Sequence, residues 1–167
     1  FSAEDFEPED HYDLFLGLGV GNTGRLFPHF ASRVPSAIKV LLAFGPEPDI
    51  SNQLVMERYT RFQERTGFYA PPMRTVEKIR ADEVIPPADF ILVFGDGFGH
   101  DSYLHWEKPL LRVFPGTSPQ INFNTKWLDS RNRKAFLCFA GDGFICKGVD
   151  LLVEAFLDMP EYELHIC

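Results

Sequence analysis
The sequence predicts an α/β fold: a Rossmann-like parallel sheet with helices on both faces, followed by the first βαβ unit of a second domain of the same kind. Three observations carry the prediction. Short apolar runs alternate with stretches of helical spacing, the pattern of βαβ units joined by right-handed crossovers. The run FILVF at residues 90–94 is apolar at every position, as a central parallel strand buried on both faces must be. The alternation stops in a polar, turn-rich stretch at residues 115–134 and then restarts, which marks a connection between domains. Residues 1–130 are therefore read as part of an N-terminal domain, and residues 131–167 as the truncated start of a C-terminal one.

The first strand is expected at residues 14–18 (LFLGL), ahead of the glycine-rich turn GVGNTG. Residues 26–34 have helical spacing, and Pro28 suits a first turn, where its missing N–H leaves no bond unmade. Residues 37–44 (AIKVLLAF) form the second strand, broken by Gly45-Pro46-Glu47-Pro48. A strong helix is expected at residues 52–65, capped by Asn52, with Leu54, Val55, Tyr59 and Phe62 as its apolar stripe. Another follows at residues 75–84, with Val76, Ile79 and Val84 inward, and Pro86-Pro87 ends it. After the central strand come a polar loop at residues 95–101, a short helix at 102–106 and a strand at 111–114. The second domain then reads as strand 135–140, loop 141–148, helix 149–159 stopped by Pro160, and strand 163–167.

Composition narrows the function classes. With 45% apolar and 14% aromatic residues, 17 of them Phe, the chain can build a core, which excludes disorder. It carries 16 Lys and Arg against 24 Asp and Glu, a net charge of −8, so nucleic acid and anionic membrane are excluded as main partners. Three cysteines without paired spacing predict reduced thiols, a cytoplasmic setting and no metal site; Cys138, in an apolar run, is expected in the core. Attachment at a membrane surface is left open. The chain starts at Phe1 and stops at Cys167 directly after a strand, so we expect a piece of a longer polypeptide, inactive alone.

The loop GDGFICKG at residues 141–148 joins a strand to a helix. The first turn of a helix exposes unpaired N–H groups at the positive end of its dipole. Gly141, Gly143 and Gly148 let backbone approach a ligand closely, and Lys147 adds a full positive charge. A diphosphate would suit this place; a plain turn with a surface lysine is the alternative on spacing alone.

The stretch also carries Gly141, Lys147-Gly148, Asp150-Leu151-Leu152-Val153-Glu154-Ala155-Phe156, Pro160 and Leu164-His165-Ile166. In these residues it resembles the start of the second domain of the GT-B fold glycosyltransferases of family 4. The resemblance implies hexosyl transfer, with retention, from a nucleotide-diphosphate sugar to an acceptor hydroxyl. It implies that Lys147 contacts the donor diphosphate. The partners implied are the nucleotide sugar and a sugar, glycan or lipid-linked acceptor, with no cofactor and no metal required. Where the family often has an arginine soon after the glycine, this chain has Asp142-Gly143. The family's glutamate pair lies further along such chains, and no carboxylate pair here takes that role.

The upstream part resembles the acceptor-side domain of these enzymes. Arg58 and Arg65 lie seven apart on one helix face and, with Arg74, could clamp an anionic acceptor. Pairing with Glu57, Glu64 or Glu77 is the alternative. His100 and Asp96 are the candidate acid–base residues, because their loop follows the central strand and such loops line the ligand crevice. Capping of the next helix by Asp101 or Ser102 is the other use of that loop. GLGVGNTG at residues 17–24 partly echoes a dinucleotide fingerprint, but Phe44-Gly45 stands where an acidic residue should end the second strand, so an oxidoreductase ranks last. A non-catalytic Rossmann-like binding or interaction module is the second hypothesis. A lone βαβ unit cannot bury both sheet faces, which predicts packing on the first domain or a homo-oligomer through the second domain's sheet.

Overall fold
The computed structural model describes residues 7–8, 11–19, 24–75, 80–114, 116 and 134–167. The chain is α/β and Rossmann-like, with an all-parallel sheet flanked by helices. It divides into two compact units. One comprises Phe1–Leu54 and Thr75–Gly116; the other comprises Val55–Arg74 and Thr117–Cys167. The expected boundary at residues 130 and 131, the turn at residues 20–23, the helix positions Val76 and Ile79, and Glu77 lie outside the described residues.

The first unit holds strands β1 (Leu14–Leu18), β2 (Ile38–Ala43), β3 (Phe90–Phe94) and β4 (Leu110–Val113), all parallel and in the order β1-β2-β3-β4. Helix α1 (Leu26–Arg33) connects the first two strands. Its Phe27 and Ala31 meet Leu41, Ala43, Ile91 and Val93 in one buried cluster. Short helix α3 (Ala81–Val84) adds Ala81 and Val84 to the same cluster. Gly17 in β1 allows this contact, since a Cβ there would lie 2.6 Å from Cδ2 of Phe27. After β3 come α4 (Phe98–Asp101) and a 3-10 turn, Leu104–Trp106, where a single short helix at residues 102–106 was expected. The helix starts early because Gly97, at φ 66°, turns the chain sharply after the strand.

Helix α2 (Pro48–Thr66) begins four residues before the expected cap at Asn52. The reason is local. Pro48 occupies the first helical position, and the Glu47 carboxylate accepts the Ile50 N–H at 2.9 Å, which is a cap in itself. Gly67, at φ 77°, ends the helix and donates its N–H to the Gln63 carbonyl.

The second unit contains the rest of α2 from Val55, then β5 (Ala135–Cys138), α5 (Val149–Leu157) and β6 (Glu163–Ile166). β5 and β6 pair in parallel, as a βαβ unit requires. Phe136 packs edge-on against Phe156 and Tyr162. Cys138 is half-buried, short of the core position expected for it. His165 lies in β6 with an exposed side chain. Among the described residues no helix is long and apolar enough to cross a membrane.

Candidate functional site
In the first unit, the loops that follow β2 and β3 are tied together. The Glu47 N–H donates to Ser102 Oγ at 2.9 Å, and the Ser102 hydroxyl donates to the Gly99 carbonyl at 2.7 Å. Glu47 and Ser102 are both buried, and burial raises the Glu47 carboxyl above its ordinary value. Tyr103 is also buried, its hydroxyl 3.4 Å from the Gly45 carbonyl, and burial pushes its phenol strongly upward. Ser102 therefore serves the preceding loop, where it was expected to cap a following helix.

His100 sits in α4, buried, with Nδ1 2.9 Å from Asp101 Oδ1. An ionised carboxylate can only accept, so Nδ1 is the donor in this pair. Asp96 does not join this couple. It accepts the Gly97 N–H at 2.7 Å and lies 2.9 Å from Nη1 of Arg112 on β4. The structure thus places both candidate residues at the carboxyl end of β3 but gives His100 a different carboxylate partner.

The second unit gathers most of the remaining candidates around one loop. Gly141, Gly143 and Gly148 all have positive φ, at 51°, 83° and 75°, so each accommodates a backbone that other residues resist. The Lys147 ammonium folds back onto the Ala140 carbonyl at the end of β5. The N–H groups of Lys147, Gly148 and Val149 donate to the carbonyls of Gly143, Ile145 and Phe144. No backbone partner takes the N–H groups of Asp150 and Leu151 among the described residues.

Arg74 lies against this loop: its Cδ and Nε are 3.0 Å from where a Cβ on Gly143 would stand. Arg74 itself has φ 68°, unusual for a residue with a side chain. Sequence separation hid this meeting, and no local signal in the chain pointed to it.

Arg58 and Arg65 do share a face of α2, but their partners are on α5. Arg58 Nη2 is 2.6 Å from Asp150 Oδ1. Arg65 binds the other Asp150 oxygen and, through Nε, Glu154 at 2.8 Å. Both carboxylates, Glu154 first, raise the Arg65 guanidinium above its ordinary value. Glu57 instead meets Arg61. Both arginines of α2 thus converge on Asp150, and Arg65 also reaches Glu154 one turn further along α5. That complementarity was readable in the sequence only once the helices were known to be neighbours.

Beside this ion lattice is an apolar hollow of about 460 Å³, bounded by Phe62, Phe144, Ile145, Val149, Val153 and Ile166. Tyr59 is buried on the same stretch of α2, and burial raises its phenol. Cys146 lies 3.5 Å from the Met73 carbonyl. Among the described residues no group of three or more His, Cys, Asp or Glu converges as metal ligands would. No protein-family model, no curated protein and no solved structure matches this chain.

Proposed function
We propose that the second unit binds the diphosphate of a nucleotide sugar, and that the protein serves hexosyl transfer, with retention, to an acceptor hydroxyl. The observation that carries this reading is the meeting of Arg74 and Lys147 on a loop of three left-handed glycines at the mouth of α5. The amides of Asp150 and Leu151, without a backbone partner among the described residues, add donors for the same anion. Arg74 supplies the guanidinium that the sequence lacks next to Gly141. The Lys147 ammonium must leave the Ala140 carbonyl to reach a phosphate. As the bond from the anomeric carbon to phosphate breaks, these cations and amides stabilise the leaving diphosphate. The reading needs no metal, because both charges come from the protein.

In the first unit His100, oriented by Asp101, is the group suited to take the acceptor proton at Nε2. Asp96 orders the surrounding loop through Gly97 and Arg112.

Titration calorimetry with UDP and GDP tests the donor site. A charge-assisted hydrogen bond contributes about 1.5–3 kcal/mol, so Lys147→Ala or Arg74→Ala should each weaken binding about 10- to 100-fold. Binding of equal strength by wild type and Lys147→Ala would overturn the assignment. One observation favours a non-catalytic binding module instead: the ion lattice uses Arg58 and Arg65 internally and sets the Asp150 carboxylate in the first turn of α5. Failure of the wild-type chain to bind either nucleotide would select that reading.

A further inference from the structure
The strand order β1-β2-β3-β4 rises one step at a time. With right-handed crossovers, such an order puts every connecting segment on the same side of the sheet. The buried cluster agrees: Phe15, Leu41, Ala43, Ile91, Val93 and Leu110 are the strand residues that meet α1, α3 and Tyr103. Side chains alternate along a strand, so the residues between these point to the opposite face. Register aligns them in rows: Leu16 beside Val40 and Phe90, then Leu18 beside Leu42, Leu92 and Leu111. The Phe44 and Phe94 rings continue the surface at the strand ends, stacked with centroids 4.3 Å apart. Every side chain of the four strands on this face is apolar.

This face is open. Leu14, Leu16, Leu18, Ile38, Phe44 and Leu111 are between 41% and 56% exposed. At roughly 150–200 Å² for a fully accessible large apolar residue, these six and their partly covered neighbours leave about 700 Å² of contiguous apolar surface. That exceeds the patch of about 300–600 Å² typical of a monomer. It matches the area of about 800 Å² that each partner brings to a stable interface.

We infer that the uncovered sheet face of the first unit is a dimer interface, and that its occupant is the same face of a second copy of this chain. A twofold axis lets two identical patches bury each other, and the assembly then closes. Two parallel sheets pack face to face about 10 Å apart with their side chains interleaved. The face bears no charge, so closing it strands no ion, although each chain carries −8 overall. Added salt should therefore strengthen the pair, by screening repulsion between the rest of the two chains.

Sedimentation equilibrium from low micromolar to submillimolar concentration reads the result. The wild-type chain should form a species of two chains, tighter at higher salt. Leu16→Lys and Leu111→Lys, at opposite margins of the face, should each weaken association about tenfold or more while far-UV circular dichroism stays unchanged. Leu137→Lys, exposed on β5 of the other unit, should leave association as in wild type. A monomer across the whole range overturns the inference, whether 8-anilinonaphthalenesulfonate finds the face open or covered. So does association indifferent to both face variants, or abolished by Leu137→Lys.

Discussion
Replacing Ser102 by alanine tests whether the loops after β2 and β3 are locked together as their hydrogen bonds imply. The hydroxyl accepts from the Glu47 amide at 2.9 Å and donates to the Gly99 carbonyl at 2.7 Å. Glu47 is 2% exposed and Ser102 6%, so water cannot replace the lost partner at the amide. A buried polar group left unsatisfied costs about 1–3 kcal/mol, and the half-buried Gly99 carbonyl adds little. We expect a loss of about 2 kcal/mol in the first unit, and a midpoint of thermal unfolding lowered by about 8 °C or more. Urea and thermal unfolding followed by tryptophan fluorescence measure it, because Trp106 packs against the same core. Hydrogen exchange should quicken at Asp101 and Ser102, whose amides hold the α4 turn and with it His100. Ser102→Thr, which keeps the hydroxyl, should recover most of the loss. A Ser102→Ala variant within about 0.5 kcal/mol of wild type would refute the lock.

Glu47→Gln addresses the same place through pH. Burial raises the Glu47 carboxyl in the folded state, so its contribution to stability is fully present below the ordinary value of 4.5 and fades as pH rises through the raised one. Denaturant titrations between about pH 4 and pH 7 should therefore show a shallower decline for the variant than for wild type; parallel curves would exclude the carboxyl as the source. Gly17→Ala should destabilise the first unit by about 1–3 kcal/mol, because the new methyl meets Phe27 from within a packed core, and a neutral effect would mean that α1 sits further from β1 than described. Asp150→Asn removes a charge shared by Arg58 and Arg65, so amide exchange should accelerate in α5 and in the facing part of α2; unchanged protection would show that the lattice does not hold the helices. Alkaline unfolding should begin near the ordinary tyrosine range and be delayed in Tyr103→Phe, since the buried phenol loses its proton only on exposure.

The fold class was legible because its signals are local. FILVF declared a central strand, though only Ile91 and Val93 on one of its faces are fully buried, and the glycine and proline breaks set most element limits to within a residue or two. Misjudged starts came from chemistry that spans elements. α2 begins at Pro48 because Glu47 is held by a serine far along the chain, and nothing near Asn52 reveals that. The α4 turn begins at Phe98 because Gly97 has a backbone that only structure discloses. At the candidate site, the glycines and Lys147 could be read from spacing. The company of Arg74, the Asp101 partner of His100 and the acids that hold Arg58 and Arg65 could not, since each depends on which segments the topology brings together.

Because each strand of the four-stranded sheet bonds to the one synthesised just before it, the sheet can grow outward as the chain leaves the ribosome, without waiting for a distant partner. Closing the crossover between β2 and β3 spans about twice the chain needed between β1 and β2, an added entropy of only about 0.6 kcal/mol. That closure brings in the FILVF strand, on which β4 then pairs. A nascent chain stalled before residue 90 would hold β2 with one edge unpaired, the state in which a chaperone would find most to grip.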